Sequence, residues 1–528
     1  MATRTLKNIW FVSREYDGLA GAGGVKDVCR QLAEALGKVA KVSVILPCYG
    51  FLSPKLLGFK VKATLPVTMN YASQDRQEKV VIWGKKSQST GRGEVTIYLV
   101  DSPRFREKKG VYTYTAAEEL VDPFKRAGQG HDDYFAMNIL LQKSALCYLL
   151  HRHERPDIIH CHDGHTALIP ALVREMDGFR HYFRHTGFVV TIHNAGVGYH
   201  QEVGDLPYAQ AITGLPRSFI NKNLLNGDFD PFIAASRHCL LNTVSENYAR
   251  ELRETDEDEL TGWLGHYLLS RGIKIRGITN GINPADFDTR EAERLGLAAP
   301  FSVAQGDLEG KKICRRQLEK SLAQKAFSGI LQHGHLNPGQ GQPLLTVIGR
   351  FSGQKGMDIF VEALHLLLPA AKNFQALILG SGEKRIAQAL ISLTREKAYD
   401  GRVCVLEGYD PHLAHQAYAA GDFFVIPSQY EPCGLTDYIA QLFGNLPIGP
   451  HIGGLVKVVD NQTGFAYQKH TAAALMAAIK RAFAIYHTKP EQIAAMQKKA
   501  VQTIARHYTW DKIMRRYLEL YQEAACKE

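Results

Sequence analysis

The sequence predicts an α/β fold of two Rossmann-like, doubly wound domains facing a central cleft. A strand, glycine turn, helix and second strand fill the first 47 residues. A second alternation of apolar strands and amphipathic helices opens after residue 343. The length of 528 residues, at about 150 per domain, allows two to four domains. The expected boundaries are 1–285 for the N-terminal domain, 286–343 for a linker and connecting segment, 344–505 for the C-terminal domain and 506–528 for a helix crossing back to the first domain.

In the first domain, residues 7–13 (KNIWFVS) form an apolar run, Val25, Val28, Leu32 and Leu36 recur at helical spacing, and KVSVILP (41–47) returns as a strand. This βαβ unit implies a parallel sheet. Further strands are expected at 80–84, 95–100, 156–162, 187–193 and 273–279. The glycine- and proline-rich GHLNPGQGQP closes the linker, and strands are then expected at 344–350, 374–380, 402–409, 422–428 and 446–450. The tail is helical, with Trp510, Ile513, Tyr517, Leu518 and Tyr521 as its apolar stripe.

Composition excludes several classes. With 45% hydrophobic and 22% charged residues the chain is neither disordered nor collagen-like. Its nine cysteines are scattered without a CxxC pair, which points to a reducing compartment rather than a disulfide scaffold or a zinc ribbon. The N-terminus lacks the apolar core of a leader, and no apolar stretch of about 18 residues could span a bilayer. A soluble, cytoplasmic protein with no membrane partner is expected. The net charge of +10 favours anionic partners, but no arginine-rich stripe or recognition-helix motif supports nucleic acid.

Each domain opens on a glycine turn. Gly18–Gly24 precedes a helix, where backbone N–H groups and the helix dipole can receive a negative oxygen; a tight structural turn reads equally well. Dinucleotide binding is disfavoured, because the spacing is not GxGxxG and no acidic residue ends the second strand. In the second domain Arg350 and Lys355 leave a strand's carboxyl end together, between Gly349 and Gly356, suited to a diphosphate or else two solvated cations. Downstream, Glu431 stands before a helix expected to open near Gly434, as a sugar-hydroxyl acceptor or a helix-capping acid.

Together these segments resemble bacterial glycogen synthases and plant starch synthases, the ADP-glucose-dependent glucan synthases of GT-B fold. GGVKDV at 23–28 is similar to the family's KTGGLADV, PDIIHCHDGH at 156–165 to PDVVHAHDWH, VTIHNAG at 190–196 to TIHNLAY and NTVSENYARE at 242–251 to TTVSPTYARE. ITNGIN (278–283), GRFSGQKGMD (349–358), the stretch 406–436 ending in EPCGLT, and IGGL (452–455) complete a collinear series along nearly the whole chain. The resemblance implies metal-independent, retaining transfer of glucose from a nucleotide-diphosphate glucose, ADP-glucose favoured, to the non-reducing 4-hydroxyl of an α-1,4-glucan such as glycogen or a malto-oligosaccharide. No cofactor is expected. Arg350 and Lys355 would neutralise the leaving diphosphate and Tyr409 would stack on adenine. Glu431 would hold sugar hydroxyls, and His193 would lie against the glucose, with Asp163, Asn194 and Asn280 as further contacts. Gly23, Gly24, Gly380, Cys433, Gly434, Leu435 and Thr436 would complete the donor site.

Five positions depart from the pattern. Gly21 stands where the family has lysine, Gly164 where it has tryptophan, His451-Ile452 where it has Arg-Thr, and Asp437 where it has glutamine. Lys26 and Arg14 are candidates to replace the missing cation. No dedicated nucleophile stands out, so same-face attack is favoured over a covalent glucosyl intermediate. The histidines His160, His162 and His165 are expected in core and cleft rather than on metal, and the DxD spellings at 228–230 and 286–288 in turns. The acidic run 251–259 reads as a solvated helix end, and the pairs Lys311-Lys312 and Arg315-Arg316 as a solvated helix face. A GT-B enzyme of other specificity and a non-catalytic glucan-binding relative are the rival readings.

Overall fold

The structure is a computed structural model that describes residues 6–71, 74–87, 94–325, 327–338 and 341–526. Residues 1–5, at the head of the stretch read for a leader, and 339–340, in the glycine- and proline-rich stretch, lie outside the described residues. The chain divides into two units, Met1–Gly281 with Trp510–Glu528, and Ile282–Thr509.

The first unit is built on a nine-stranded sheet. In chain order its strands are β1 (Asn8–Val12), β2 (Lys41–Pro47), β3 (Lys60–Tyr71), β4 (Gln74–Lys86), β5 (Val95–Asp101), β6 (Ile158–His162) and β7 (Gly187–Ile192). A two-residue-strand hairpin of β8 (Leu224–Leu225) and β9 (Asp228–Phe229) follows, and β10 (Leu240–Thr243) and β11 (Ile275–Gly277) return to the sheet. The strand order is β11-β10-β7-β6-β1-β2-β5-β4-β3. Seven strands are parallel, but β4 runs antiparallel to both β5 and β3, so the sheet is mixed. The parallel pairing implied by the opening βαβ unit holds for β1 and β2, and the antiparallel strand lies toward one edge. The cause is legible in β3, where exposed and buried residues alternate from Ala63 to Met69, the pattern of an antiparallel strand with one wet face. Strand β10 went unread because four residues including Asn242 and Thr243 carry no hydrophobic period.

Between β1 and β2, helix Val25–Gly37 buries Val28, Leu32 and Leu36 against the sheet. The terminal helix Trp510–Cys526 belongs to this same unit. Trp510 donates its indole N–H to Gln31 Oε1 at 2.7 Å, and Tyr521 OH meets His160 Nδ1 at 2.7 Å. Its buried stripe is Trp510, Ile513, Tyr517, Leu520, Tyr521 and Ala524, so Leu520 takes the place assigned to the half-buried Leu518.

The second unit carries seven strands: β12 (Leu331–Gly334), β13 (Leu344–Ile348), β14 (Gln375–Gly380), β15 (Val403–Glu407), β16 (Phe423–Val425), β17 (Leu446–Pro450) and β18 (Phe465–Tyr467). Their order is β12-β15-β14-β13-β16-β17-β18, parallel except for β12. Residues 286–343 are not a separate linker: helix Glu309–Ala323 and β12 are parts of this unit. Nor is the helix's basic face wholly solvated. Lys311 is buried, its ammonium donating to the carbonyls of Ala419 at 2.8 Å, Gly421 at 2.7 Å and Phe443 at 3.1 Å. One turn on, Arg315 pairs with Asp422 at 2.9 Å and Glu319 at 3.0 Å, while Lys312 and Arg316 stay exposed.

In both sheets the chain winds out one way and then restarts beside its first parallel strand. In the first unit the reversal lies between β1 and β6, and in the second between β13 and β16. Ligand crevices of open α/β sheets lie at the carboxyl ends of strands flanking such a reversal.

Candidate functional site

At the second unit's reversal point, the loop after β13 runs Gly349-Arg350-Phe351-Ser352-Gly353-Gln354-Lys355-Gly356 into helix Met357–Ala370. Arg350 is exposed, with Gln354 Oε1 at 3.5 Å. Lys355 reaches across to the loop after β16, where its Nζ lies 2.7 Å from Glu431 Oε2. Ser428 Oγ donates to the same oxygen at 2.9 Å. Burial alone would push the Glu431 carboxyl up, but Lys355, Ser428 and nearby Lys457 outweigh it and hold it below its ordinary value. Glu431 is therefore a carboxylate, an acceptor-only group backed by an ammonium that keeps two further N–H donors.

The EPCGLT segment is held from behind by a residue that sequence reasoning missed. Lys457, with a side chain 4% exposed, pairs with the wholly buried Asp437 at 3.1 Å. It also donates to the carbonyls of Cys433, Gly434 (2.7 Å) and Gly454 (3.0 Å), and lies 4.4 Å from the centre of the Tyr438 ring. Peptide N–H and C=O point opposite ways, so pinning the carbonyls of Cys433 and Gly434 turns the N–H groups of Gly434 and Leu435 to the other side. The Gly453-Gly454 turn allows this contact, because a Cβ at Gly454 would stand 2.0 Å from the Cys433 carbonyl oxygen. Asp437, the departure noted above, is thus the counter-ion of Lys457; burial pushes its carboxyl up to about 6 even against that ammonium. The helix opens at Thr436, after Leu435, two residues beyond Gly434. Gly380 is buried at the end of β14 against the Gly349 carbonyl, whereas Tyr409 is 68% exposed.

In the first unit the turn after β1 is arranged differently. Glu15, buried, accepts the backbone N–H groups of Ala22 at 2.7 Å and Gly23 at 3.2 Å, and Tyr112 OH at 2.5 Å. An internal carboxylate therefore occupies the amides that were expected to meet a ligand oxygen, while Gly24 caps the helix. Lys26 lies over Gly21, where a Cβ would come within 2.2 Å of Lys26 Cδ. Its ammonium, however, pairs with Asp17 at 3.0 Å and Asp27 at 3.1 Å. Arg14 is buried and donates to Tyr49, Asn138 and the Val111 carbonyl. Both proposed substitutes for the missing lysine thus have their charged groups engaged inside the unit.

After β6, Asp163 adopts a left-handed backbone, φ +61°, and its Oδ1 accepts the amides of His193 at 2.7 Å and Asn194 at 3.4 Å. Burial pushes this carboxyl up to about 7 despite the two amides. Asp163 is thereby the brace that shapes the loop after β7. His193 Nε2 lies 2.9 Å from His162 Nδ1, and burial pushes His193 down to about 3, leaving a neutral imidazole. Asn194 Oδ1 caps Gly196 N at 2.8 Å, and Asn280 is buried with its amide N–H on the Val244 carbonyl. Gly164 explains its own departure: a Cβ there would stand 2.1 Å from the His200 carbonyl oxygen, so no tryptophan fits.

The remaining polar motifs have structural partners. His160 bonds Thr191 Oγ1 (2.6 Å) and Tyr521, and His165 packs on Tyr112 with ring centres 4.8 Å apart. Among the described residues no three His, Cys, Asp or Glu side chains converge as a metal site. Asp230 caps helix Pro231–Ser236 and pairs with His200 at 2.7 Å, and Asp288 pairs with Arg290 at 2.7 Å. Within the acidic run, Asp258 is wholly buried and organises a turn, correcting the reading of 251–259 as solvated throughout.

The chain is similar to known proteins along its whole length. Residues 8–266 match starch synthase catalytic domains and residues 342–484 the group 1 glycosyl transferases. The glycogen synthase of Aeromonas hydrophila is 30% identical over 555 aligned positions, covering 100% of both chains. That of Geotalea uraniireducens is 29% identical, covering 98% of this chain and 99% of its own. Among solved structures, the catalytic domain of starch synthase IV from Arabidopsis thaliana, bound to ADP and acarbose, superposes with a TM-score of 0.79 at 25% identity, covering 99% of this chain and 100% of that one. Sucrose-phosphate synthase from Thermosynechococcus elongatus shares the fold at a TM-score of 0.55 and 17% identity. With starch-synthase and glycosyl-transferase segments in order along a GT-B fold, and a full-length match to bacterial glycogen synthases, the chain belongs to the glycogen and starch synthase family of glycosyltransferases.

Proposed function

We propose that this enzyme transfers glucose from ADP-glucose to the non-reducing 4-hydroxyl of an α-1,4-glucan, with retention at the anomeric carbon and without a metal ion. The observation that carries the reading is the Lys355–Glu431 pair beside Arg350 at the second unit's reversal point. Breaking the anomeric bond builds positive charge on the sugar and negative charge on the departing diphosphate. Lys355 and Arg350 supply the cations for the diphosphate, the role Mg²⁺ fills in other phosphoryl chemistry. Glu431, held ionised, accepts sugar hydroxyls, and the Gly434 and Leu435 amides supply further donors. The neutral His193 imidazole offers a hydrogen bond to a glucose hydroxyl without adding positive charge near the anomeric carbon. Glu431 is bonded by Lys355 and Ser428, and Asp163 by backbone amides, so both carboxyls already have orienting roles. Same-face attack assisted by the leaving phosphate is therefore favoured over a covalent intermediate. The ADP and acarbose carried by the starch synthase IV structure represent the two ligand classes proposed.

The test is incorporation of labelled glucose into glycogen from ADP-glucose and, in parallel, from UDP-glucose. Incorporation from ADP-glucose with release of ADP is expected; no incorporation from either donor by folded protein overturns the reading. One feature favours a second reading, a GT-B transferase of other donor or acceptor specificity: Gly21 lacks the family's cation and Lys26 is neutralised by Asp17 and Asp27. Preference for UDP-glucose or for a small acceptor in the same assay selects it.

A further inference from the structure

We propose that Trp263 is a stacking platform for the α-glucan acceptor, a subsite on the first unit beside the loop that carries His193 and Asn194; the assignment rests on the glucan synthase reading above. Trp263 is 41% exposed and has φ +68°, immediately after Gly262 at φ +66°. A bulky residue in the left-handed region is a conformational outlier, and such residues persist only where their surroundings over-determine them.

The surroundings do so through Asp258. Its buried carboxylate accepts Thr261 Oγ1 at 2.6 Å, the amides of Gly265 at 3.1 Å and His266 at 2.8 Å, and His266 Nδ1 at 2.9 Å. The Trp263 amide donates to the Asp258 carbonyl at 3.0 Å, and the Trp263 carbonyl accepts from Tyr267 N at 3.0 Å. Glycine would take this backbone without strain, so the fold alone gives no reason for an indole. The indole is not in the core: the His266 ring lies edge-on to it, 5.2 Å away at 75°.

Its position supplies the reason. Val197, 67% exposed, donates its amide to Leu260 O at 3.2 Å, and Asn226 Nδ2 donates to Gly262 O at 3.1 Å. The turn is thus tied to the loop leaving the carboxyl end of β7, four residues beyond His193, a chain reach of at most about 14 Å. The exposed indole has the His266 ring at its edge, and the exposed Val197 lies over the preceding Gly262, 3.7 Å from where a Cβ would stand, so the turn presents a small apolar surface with a polar edge. That suits a sugar ring, with its C–H face and hydroxyl rim, and falls far short of the ~800 Å² per partner of a stable protein interface.

The experiment is native electrophoresis of the full chain through gels with and without glycogen, paired with thermal melts and acceptor kinetics. Trp263→Gly is expected to melt no lower than the parent, because it relieves the left-handed tryptophan, yet to lose about fivefold in apparent glycogen affinity. The KM for maltoheptaose should rise by a similar factor while the KM for ADP-glucose is unchanged, and Trp263→Phe should recover most of the loss. Equal retardation of Trp263→Gly and parent overturns the assignment. Should Trp263→Gly fail to fold, maltoheptaose titration of indole emission decides instead. A change present in the parent and absent in Trp263→Phe supports the platform, and no difference between them overturns it. Gel retardation needs no turnover, so failure of glucose transfer from every donor would count against the proposed function alone.

Discussion

The two glycine turns at the heads of the sheets are alike in position and differ in the cations they carry. Each follows the first parallel strand of its sheet, opens a helix and stands at a chain reversal. In the first unit the amides of Ala22 and Gly23 are taken by the Glu15 carboxylate, and Lys26 is held by Asp17 and Asp27. In the second unit the Gly353 amide likewise donates to a carboxyl, Glu383 Oε1 at 3.2 Å, but the turn also carries Arg350 and Lys355, the lysine aligning Glu431. Both turns thus hold an acid on a backbone amide, and they differ in that the second adds the exposed Arg350 and points its lysine at the acid of the candidate site. On the proposed reading, handling of the diphosphate belongs mainly to the second unit, and the first contributes sugar contacts.

The most direct way to break this comparison is Lys355→Ala, for which a fall in kcat of about 10²–10³-fold is expected, with a lower melting temperature as Glu431 loses its ammonium. A rate equal to the parent's would remove the asymmetry. Next in size is Lys457→Met, which leaves Asp437 as a buried carboxyl without its ammonium. A loss on the order of 3 kcal/mol in urea unfolding is expected, with weaker ADP binding by calorimetry because the Gly434 and Leu435 amides are no longer fixed. Asp437→Asn with Lys457→Met together should recover part of that loss.

The first unit offers a pH test. Burial opposes a charged His200, but Asp230 outweighs it and raises the imidazole to about 9. A raised histidine stabilises fully below its ordinary 6.5, and its contribution is lost as pH climbs through about 9. Stability should therefore fall between pH 7 and 10 by a few kcal/mol at most, and His200→Gln should flatten that part of the profile. The smallest expected effect sharpens the comparison from the other side. Restoring the family's lysine with Gly21→Lys should lower the KM for ADP-glucose by only about threefold, since Glu15 still occupies the neighbouring amides. A tenfold or greater gain would show the first turn to be an open phosphate site.

Much of the architecture was legible because apolar strands and helical stripes leave a period in the sequence. Strands β1, β2, β5 to β7 and β13 to β17 fall where that period runs, and Arg350, Lys355 and Glu431 stand at strand ends as a doubly wound pattern requires. What escaped lacks a period or depends on distant partners. Lys457 follows a glycine turn and looks like a surface cation until Asp437, twenty residues earlier, is folded beneath it. Glu15 reads as one more charge after β1 until the turn closes over it. Lys311 could be separated from Lys312 only by knowing which helix face meets the Ala419, Gly421 and Phe443 carbonyls.

By itself the sequence determined the α/β class, the two sheets and the family, since these follow from local hydrophobic periodicity and from motifs that are contiguous in the chain. Tertiary structure alone decided which charges act and which are silent. Coulomb and desolvation energies depend on distance and burial, so Lys26 beside Asp17, Lys355 beside Glu431 and Lys457 beneath Cys433 become different chemical groups only once the chain has brought their partners to within about 3 Å.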